Sequence, residues 1–261
     1  MWQKYGQHFL TDLWVLDHIE AVIDDFSPEY VIEIWPGRGA LTQRLLGKPY
    51  SLLLSEIDTS LQTDLTQLTQ GTSTQIIWWD ILQQPVVRTP ESYTLAGQSF
   101  PPKKTLVVGN LPYYITSPIL RMFFGDAPEF LWGVFLVQYE VADKIRSDAT
   151  KKSYLRRLLN IFCEVRSLFP VPASSFTPPP KVVSAVISLI PREGPMIDLL
   201  LVPKLLRFLD LTNPFKRKTL GKIQKMQQNS FTESDIFIPD ALVSKRLEEL
   251  GREEVKMILW V

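Results

Sequence analysis

Apolar runs that alternate with segments of helical spacing are the feature that most constrains what this chain can fold into. The pattern predicts strands at 30–34, 51–57, 75–79, 106–108, 133–137 and 182–190, with helices at 13–23, 40–46, 61–68 and 117–124. The β-α-β-α-β order over residues 30–79 is typical of parallel strands joined by helices. We therefore predict an α/β fold with a doubly wound, Rossmann-like sheet.

The pattern changes after Pro191, where helical segments with few strand signals follow. Helices are predicted there at 202–209, 216–226, 239–250 and 253–260. We therefore expect two domains, with the sheet in residues 1–191 and a small all-α domain in residues 192–261. The proline-rich segment 85–104 predicts a loop before the fourth strand.

Composition bounds the class of protein. The formal net charge is zero, from 28 basic and 28 acidic residues, so binding to a polyanion would depend on local patches. The single cysteine, Cys163, cannot form an internal disulfide, which fits a reducing compartment. The first residues lack a signal-peptide pattern and no apolar run reaches about 18 residues, so we expect a soluble, cytoplasmic protein without membrane contact.

Asn110, Leu111, Pro112 and Tyr113 directly follow the predicted fourth strand. Pro112 keeps the preceding residues out of helical geometry, so the turn can present carbonyl oxygens. An exocyclic amine that lies between the Asn110 side-chain oxygen and the Leu111 carbonyl would donate one hydrogen bond to each of them. The lone pair of its nitrogen would then be free for nucleophilic attack. Tyr113 adds a flat face for a base. The pattern is typical of the active-site loop of amino-methyltransferases, and an ordinary Asn-Pro turn is the alternative.

Acidic residues lie in or after three of the predicted strands, at the edge where parallel sheets bind ligands. Glu33 lies in the first strand, Glu56 near the end of the second, and Asp80 after the third. Glu56 stands about twenty residues after a glycine turn, where a carboxylate can accept both ribose hydroxyls. Asp80 could accept from an adenine amino group. A solvated loop residue or a helix N-cap is the alternative for each acid.

The glycine turn contains Gly37 and Gly39, which let the backbone approach a ligand closely. A pyrophosphate cofactor would favour the G-x-G-x-x-G spacing. The turn has a different spacing, and Glu33 precedes it. This context favours a cationic, phosphate-free nucleoside, and S-adenosylmethionine is such a ligand.

Taken together, these segments resemble the ribosomal RNA adenine N6-dimethyltransferase family, known as KsgA or RsmA in bacteria. In the first half of the chain, residues 6–10 resemble its cofactor-covering motif, residues 33–42 its first glycine motif and residues 110–113 its catalytic loop. In the second half, residues 138–142 resemble the segment after its fifth strand, residues 176–184 its F-x-P-x-P-K-V-x-S motif and residues 215–220 its basic C-terminal stretch. The resemblance spans nearly the whole chain in order. It implies a class I methyltransferase domain followed by a helical RNA-substrate domain.

The resemblance also implies an activity, namely methyl transfer from S-adenosylmethionine to two adjacent adenines near the 3′ end of small-subunit (16S) ribosomal RNA. The enzyme would act as a monomer on a pre-30S particle during ribosome biogenesis, without a metal. The residues expected at the cofactor are His8, Leu10, Trp35, Gly37, Glu56, Asp80 and Asn110. Those expected at the target base are Asn110, Leu111, Pro112 and Tyr113, with Phe176 opposite Tyr113. The base would be flipped out of its stack, because N6 cannot be reached inside paired RNA.

Basic runs would supply affinity for RNA, with their alignment on one side of the molecule as the prediction. They are Lys151–Lys152, Arg156–Arg157, Lys181 and Lys216–Lys218. A solvated helix face is the alternative for each run.

Trp35 departs from the family pattern, which has glycine at this position of its first glycine motif. If the backbone there requires a positive φ, a tryptophan adds strain, and its indole would occupy the path of the cofactor. One interpretation is a catalytically impaired RNA-binding assembly factor. Another is that UGA codons are decoded as glycine, because Trp79 also stands where the family often has glycine. The related 23S ribosomal RNA adenine methyltransferase is a further alternative.

Overall fold

The computed structural model describes residues 7–83, 86–88, 92–95, 97–101, 104–124, 131–149, 153–192, 199–234 and 236–260. The strands are β1 (Phe9–Leu10), β2 (Tyr30–Ile34), β3 (Ser51–Glu56), β4 (Gln75–Trp78), β5 (Val86–Arg88), β6 (Tyr93–Leu95), β7 (Gln98–Phe100), β8 (Thr105–Asn110), β9 (Leu131–Gln138), β10 (Cys163–Val171), β11 (Phe176–Thr177) and β12 (Ser184–Pro191). The helices are α1 (Leu13–Asp25), α2 (Thr42–Leu45), α3 (Gln62–Leu68), α4 (Thr116–Phe124), α5 (Tyr139–Ile145), α6 (Tyr154–Phe162), α7 (Val202–Thr212), α8 (Leu220–Met226), α9 (Gln228–Glu233) and α10 (Arg252–Leu259). Gly6 of the first motif and the basic pair Lys151–Lys152 lie outside the described residues.

A seven-stranded sheet in the order β10-β12-β9-β8-β2-β3-β4 forms the centre of the fold. The five strands from β9 to β4 run parallel, β12 pairs antiparallel with β9, and β10 pairs antiparallel with β12. The predicted α/β, doubly wound fold is therefore confirmed. The first strand of this sheet in chain order is β2, which lies between β3 and β8. The following strands are therefore added on one side of β2 and then on the other. Such a switch point opens a crevice at the carboxyl ends of the strands.

Each face of the sheet has its own apolar layer. Val15 and Ile19 of α1 pack with Val108 and Leu136 on one face. The other face carries a second cluster, which includes Phe135 of the sheet and Leu205 of α7. The C-terminal helical residues thus share a hydrophobic core with the sheet, and the boundary at residue 191 stays a prediction.

The start of α1 is tied to the segment before β11. The carboxylate of Asp12 caps the helix by accepting hydrogen bonds from the backbone N–H groups of Trp14 and Val15, at 3.0 and 3.3 Å. It also accepts the hydroxyl proton of Ser175 at 2.7 Å. These bonds, together with pairing of β1 with β11, hold the N-terminal strand over the sheet edge.

Several predicted elements differ from the structure. The helix predicted at 40–46 is limited to α2, because Leu46 is extended and Gly47 has φ +76°. The helix predicted at 239–250 is wrong, since this segment makes only two short 3₁₀ turns. Its carbonyl groups at Val243 and Lys245 accept hydrogen bonds from Gly221 and Leu220, which leaves them unavailable for helical bonds.

The predicted loop at 85–104 contains β5, β6 and β7, which form a small antiparallel sheet. The helices α5 and α9 were also missed. Both are shorter than two full turns, and helices of that length give a weak periodic signal.

Candidate active site

A cavity of about 600 Å³ opens at the carboxyl ends of the central strands. Its wall contains most of the predicted site residues, namely His8, Leu10, Trp35, Gly37, Glu56, Asn110, Leu111, Pro112 and Tyr113. Asp80 and Phe176 are not part of this wall. Glu33, noted as an acid but not assigned a role from the sequence, lines the cavity as well.

The side-chain amide of Asn110 is oriented by a distant backbone group. Its Nδ2 donates a hydrogen bond to the main-chain oxygen of His8 at 2.8 Å. The amide oxygen Oδ1 is therefore the atom left to accept from a ligand. The neighbouring Leu111 N–H donates to Leu136 O at 3.1 Å, and Thr116 Oγ1 donates to Pro112 O at 3.2 Å. The turn is thus held at both ends while its acceptor group faces the cavity.

Tyr113 and His8 form an aromatic wall beside Asn110. Their ring centroids lie 6.1 Å apart with the planes 28° from parallel. The Tyr113 hydroxyl lies 2.9 Å from Ser184 Oγ, and burial raises the pKa of this tyrosine, so the phenol stays neutral. His8 Nδ1 lies 2.8 Å from Pro178 O. Because a carbonyl only accepts, Nδ1 carries the proton in this contact.

Phe176 lies beside the cavity and not in its wall. It is buried in β11, opposite Leu10 of β1, and the next residue, Thr177, reaches the cavity. A base that stacks on Phe176 therefore requires the ring to turn out of this packing. Its role at the target base stays a prediction.

The carboxylate of Glu56 is buried and largely satisfied by backbone N–H groups. Oε1 accepts from Ile57 and Asp58, both at 2.9 Å, and Oε2 accepts from Gly37 at 3.0 Å. Burial raises the pKa of Glu56, and these three hydrogen bonds oppose the rise. An ionised carboxylate has about four acceptor sites, so Oε2 has one left for a ribose hydroxyl. Acceptance of both hydroxyls, as predicted, would require the Gly37 bond to open.

Glu33 is a second buried carboxyl group in the cavity wall. Thr42 Oγ1 donates to its Oε2 at 2.7 Å. Burial raises the pKa of Glu33 to about 8, opposed by the Thr42 hydrogen bond and assisted by the negative charge of Glu56. The group is protonated near neutral pH, and a cation in the cavity would favour its ionised form.

Trp35 occupies a backbone conformation that suits glycine. Its φ is +60°, in the left-handed region, while its side chain is 8% exposed and lines the cavity. Its N–H donates to Ser55 O at 2.9 Å, which holds the residue at the end of β2. The predicted requirement for positive φ is thus met by the structure, and the indole narrows the space beside Glu33.

Gly109 is required where β8 passes β2. A Cβ at this position would lie 2.4 Å from Ile34 O, a backbone atom that cannot move aside. The close approach of the two strands brings Asn110 next to the end of β2, so this glycine helps to set the position of residues 110–113.

Asp80 caps a turn instead of entering the cavity. Its Oδ1 accepts from Leu82 N–H at 3.0 Å, and its Oδ2 accepts from Gln83 Nε2 at 3.2 Å. This is the N-cap alternative named for this acid. Its contact with an adenine stays a prediction.

Two of the predicted RNA-binding arginines point inward. Arg156 donates to Arg146 O and Ser147 O at 3.1 and 2.6 Å, and Arg157 donates to Leu250 O at 3.3 Å. Burial lowers the pKa of Arg157 to about 10. Both side chains are half-buried, and these hydrogen bonds engage part of each guanidinium group within the fold. Lys181, Lys216 and Arg217 are exposed, and Lys218 is half-buried.

The described ranges hold neither a metal-binding cluster nor a helix that could span a membrane. No group of three or more His, Cys, Asp or Glu side chains has an arrangement suited to a metal ion there. Within those same ranges, no helix combines the length and the apolar character needed to cross a membrane.

Comparison with known proteins places the chain in a sequence family. The profile of the family described as ribosomal RNA adenine dimethylase matches residues 2–258. A protein of Xylella fastidiosa named ribosomal RNA small subunit methyltransferase A is 36% identical over 239 residues, which cover 91% of this chain and 84% of that protein. A protein of the same name from Xanthomonas campestris is 36% identical over 233 residues, covering 88% and 82% of the two chains.

Solved structures agree with this fold. A dimethyladenosine transferase from Plasmodium falciparum superposes with a TM-score of 0.73 at 24% identity, covering 97% of this chain and 96% of that one. The 23S rRNA methyltransferase ErmE superposes with a TM-score of 0.66 at 20% identity, covering 97% and 98%. At these identities the likeness shows the fold alone.

Proposed function

The chain belongs to the ribosomal RNA adenine dimethylase family, and we propose that it dimethylates N6 of two adjacent adenines near the 3′ end of small-subunit (16S) ribosomal RNA. Membership makes it an S-adenosylmethionine-dependent ribosomal RNA adenine dimethyltransferase. The names of the relatives at 36% identity support the small-subunit substrate over the 23S alternative. They also favour an enzyme over an impaired assembly factor.

The cavity fits S-adenosylmethionine in size and charge. Its volume of about 600 Å³ lies within the usual range for small-ligand sites, even with the Trp35 indole in the wall. Two buried carboxyl groups, Glu33 and Glu56, complement a cationic nucleoside. When bound, the cofactor supplies a methyl group on a positively charged sulfur. We propose that Glu56 accepts a ribose hydroxyl and that Glu33 faces the positive charge.

The catalytic loop holds the target amine in the orientation that methyl transfer needs. We propose that Asn110 Oδ1 and the Leu111 carbonyl each accept one N6 proton, which leaves the nitrogen lone pair free. The cofactor would supply its methyl group to that lone pair with the neutral thioether as leaving group, and the nitrogen would lose one proton to solvent as the product leaves. Positioning and exclusion of water supply most of the acceleration, because the attacking amine needs no strong base.

Tyr113 provides the surface on which the flipped adenine stacks, since its neutral ring lies beside Asn110 in the same wall. The ring of Phe176 would cover the opposite face of the base after turning out of its packing against β1. His8 and Leu10 belong to the N-terminal strand, which would cover the cofactor. The role of Asp80 at the adenine belongs to this proposal as well.

The proposed substrate particle is a pre-30S subunit, on which the enzyme would act as a monomer in the cytoplasm. In this proposal residues 1–191 carry the methyltransferase site and residues 192–261 contact the RNA. The exposed Lys216 and Arg217 support the second assignment, because they are cations in the C-terminal segment.

The observation that carries the proposal is the Asn110 amide, held by His8 with its oxygen left as an acceptor. The test is methyl transfer from isotopically labelled S-adenosylmethionine to pre-30S particles and to naked 23S RNA. We expect N6-dimethyladenine in nuclease digests of 16S RNA, and none after Asn110→Ala. Methylation of 23S RNA alone would overturn the proposed substrate. Absence of transfer to either RNA by a chain that binds the cofactor would support the impaired-factor alternative.

A further inference from the structure

A second, larger cavity lies beside the active site. Its volume is about 1130 Å³, and its wall is built from α4, α5, the start of α6 and residues of the C-terminal segment. The charged residues of this wall are Arg121, Lys144, Lys216 and Glu248. Arg121 pairs with Asp210 and Lys144 with Glu140, both in exposed ion pairs that contribute little, so these cations can turn to an anionic ligand together with Lys216.

In two short stretches of chain, residues that line the first cavity are closely followed by residues that line the second. After β8, Pro112 and Tyr113 line the active-site cavity, while Ser117 and Pro118 of α4 line the second one. At this turn the walls of the two cavities are thus only four positions apart along the chain, from Tyr113 to Ser117.

The second stretch carries an exposed aromatic residue. Leu136 of β9 lines the active-site cavity, Val141 of α5 lines the second cavity, and Tyr139 stands between them, 48% exposed. Its backbone N–H donates to Val183 O at 3.0 Å, which fixes the start of α5 to the segment before β12.

The position of Tyr139 is coupled to that of the proposed target-base wall. Gln138, which precedes it, pairs with Ser184, and Ser184 Oγ contacts the hydroxyl of Tyr113 at 2.9 Å. A base that leaves the active site along this edge meets an exposed, flat ring directly. Aromatic side chains in such positions stack on nucleobases without regard to sequence.

We propose that the second cavity is the binding site for the RNA strand next to the target adenine. In this inference, which rests on the proposed function, the neighbouring base stacks on Tyr139 and the phosphates contact Lys144 and Lys216. Lys144 is paired with Glu140 in an exposed ion pair. Such pairs contribute little, so Lys144 can exchange its partner for a phosphate.

The test measures binding of a short single-stranded RNA with two adjacent adenines to the full chain, by fluorescence anisotropy. Tyr139→Ala is expected to weaken binding roughly 5-fold to 100-fold, as for loss of one base–aromatic stack, and Tyr139→Phe to retain it. The matched control is Trp260→Ala, which removes an exposed aromatic residue at the C-terminal end. Affinity for S-adenosylmethionine should stay unchanged in all three variants.

The phosphate contacts are tested by salt. Lys216→Ala is expected to lower the slope of log affinity against log salt concentration by about 1, because one phosphate contact is lost. Lys104→Ala is the control, since Lys104 precedes β8 at the opposite edge of the sheet and pairs with Glu29. Equal slopes for Lys216→Ala and Lys104→Ala would overturn the phosphate contact.

Other outcomes separate this inference from the proposed function. If the unmodified chain binds and methylates the RNA while Tyr139→Ala matches Trp260→Ala, the inference is wrong and the proposed function stands. If Tyr139→Phe is as weak as Tyr139→Ala, the hydroxyl matters and stacking is excluded. If the variants lose affinity for pre-30S particles but not for the oligonucleotide, the surface binds a protein instead. If the unmodified chain binds no RNA, the proposed function fails first.

Discussion

The side-chain nitrogen of Asn110 donates a hydrogen bond to the main-chain oxygen of His8 at 2.8 Å, although the two residues are 102 positions apart. His8 immediately precedes β1, which pairs with β11. The orientation of the amide therefore depends on the docking of the N-terminal strand. The segment whose His8 and Leu10 line the cavity thus also orients the side-chain amide of Asn110.

Replacement of Asn110 tests this alignment. Asn110→Asp is expected to lower kcat about 10²-fold to 10³-fold, because a carboxylate cannot donate to the His8 oxygen and both groups would repel each other. Binding of S-adenosylmethionine should still be detected by calorimetry, which separates the loss of kcat from a loss of the fold. Asn229→Asp, at an exposed position of α9, is the control. Equal loss in both variants would exclude a specific role for the amide.

Replacement of Trp35 tests whether the indole limits cofactor binding. Trp35→Gly should raise affinity for S-adenosylmethionine, because it frees space in the cavity and suits the φ of +60°. Release of backbone strain is worth about 1–2 kcal/mol, while loss of a buried indole costs about 3–5 kcal/mol. We therefore expect lower stability in urea together with tighter binding.

The control for this change is Trp79→Gly, because Trp79 is 55% exposed. Its affinity for the cofactor should match that of the unmodified chain. Unchanged affinity in Trp35→Gly would show that the indole already leaves room for the ligand. The intact mass of the native protein and codon 35 of its gene decide separately between tryptophan and a recoded glycine, and a UGG codon would exclude recoding.

The raised pKa of Glu33 predicts a pH dependence of stability. The carboxyl group binds a proton up to a pH of about 8 in the folded chain and up to about 4.5 when unfolded. Between these values the folded state holds the extra proton, so stability falls as pH rises, by up to about 1.4 kcal/mol per pH unit. Urea unfolding at several pH values should show this fall, and Glu33→Gln should remove it.

Cofactor binding should depend on pH in the opposite sense. A cation favours ionised Glu33, so affinity for S-adenosylmethionine should increase as pH rises toward 8 and level off above it. Glu33→Gln should flatten the profile, whereas the exposed Glu29→Gln should not. A profile that persists in Glu33→Gln would assign the titration to another group.

Gly109 tests the close contact of β8 with β2. Gly109→Ala would place Cβ 2.4 Å from Ile34 O, so the strands must separate, at a cost of about 1–3 kcal/mol. Thermal unfolding should show a clear drop in Tm. Gly251→Ala is the control, because its Cβ would meet the flexible end of Glu254. Similar Tm values for the two variants would contradict the packing argument.

The parallel sheet, the place of residues 110–113 after β8 and those of Glu33 and Glu56 in the cavity wall were predictable from the sequence, while their chemical roles stay predictions. These features follow from local patterns of apolar spacing, turn residues and motif order. The patterns failed for residues 239–250, where bonds to Leu220 and Gly221 replace helical bonds. They also gave no sign that Arg156 and Arg157 donate hydrogen bonds to main-chain oxygens, and the contact of these arginines with RNA stays a prediction.

Local patterns in the chain are enough to show which chemical groups are present and in which strands they lie. Three findings needed the folded structure. His8 orients the Asn110 amide, and three backbone N–H groups donate to the Glu56 carboxylate. Asp80 caps a turn outside the cavity. The physical reason is that a side chain's hydrogen-bond partners and burial depend on segments brought together by sheet register and packing. Local spacing carries no record of these distant partners.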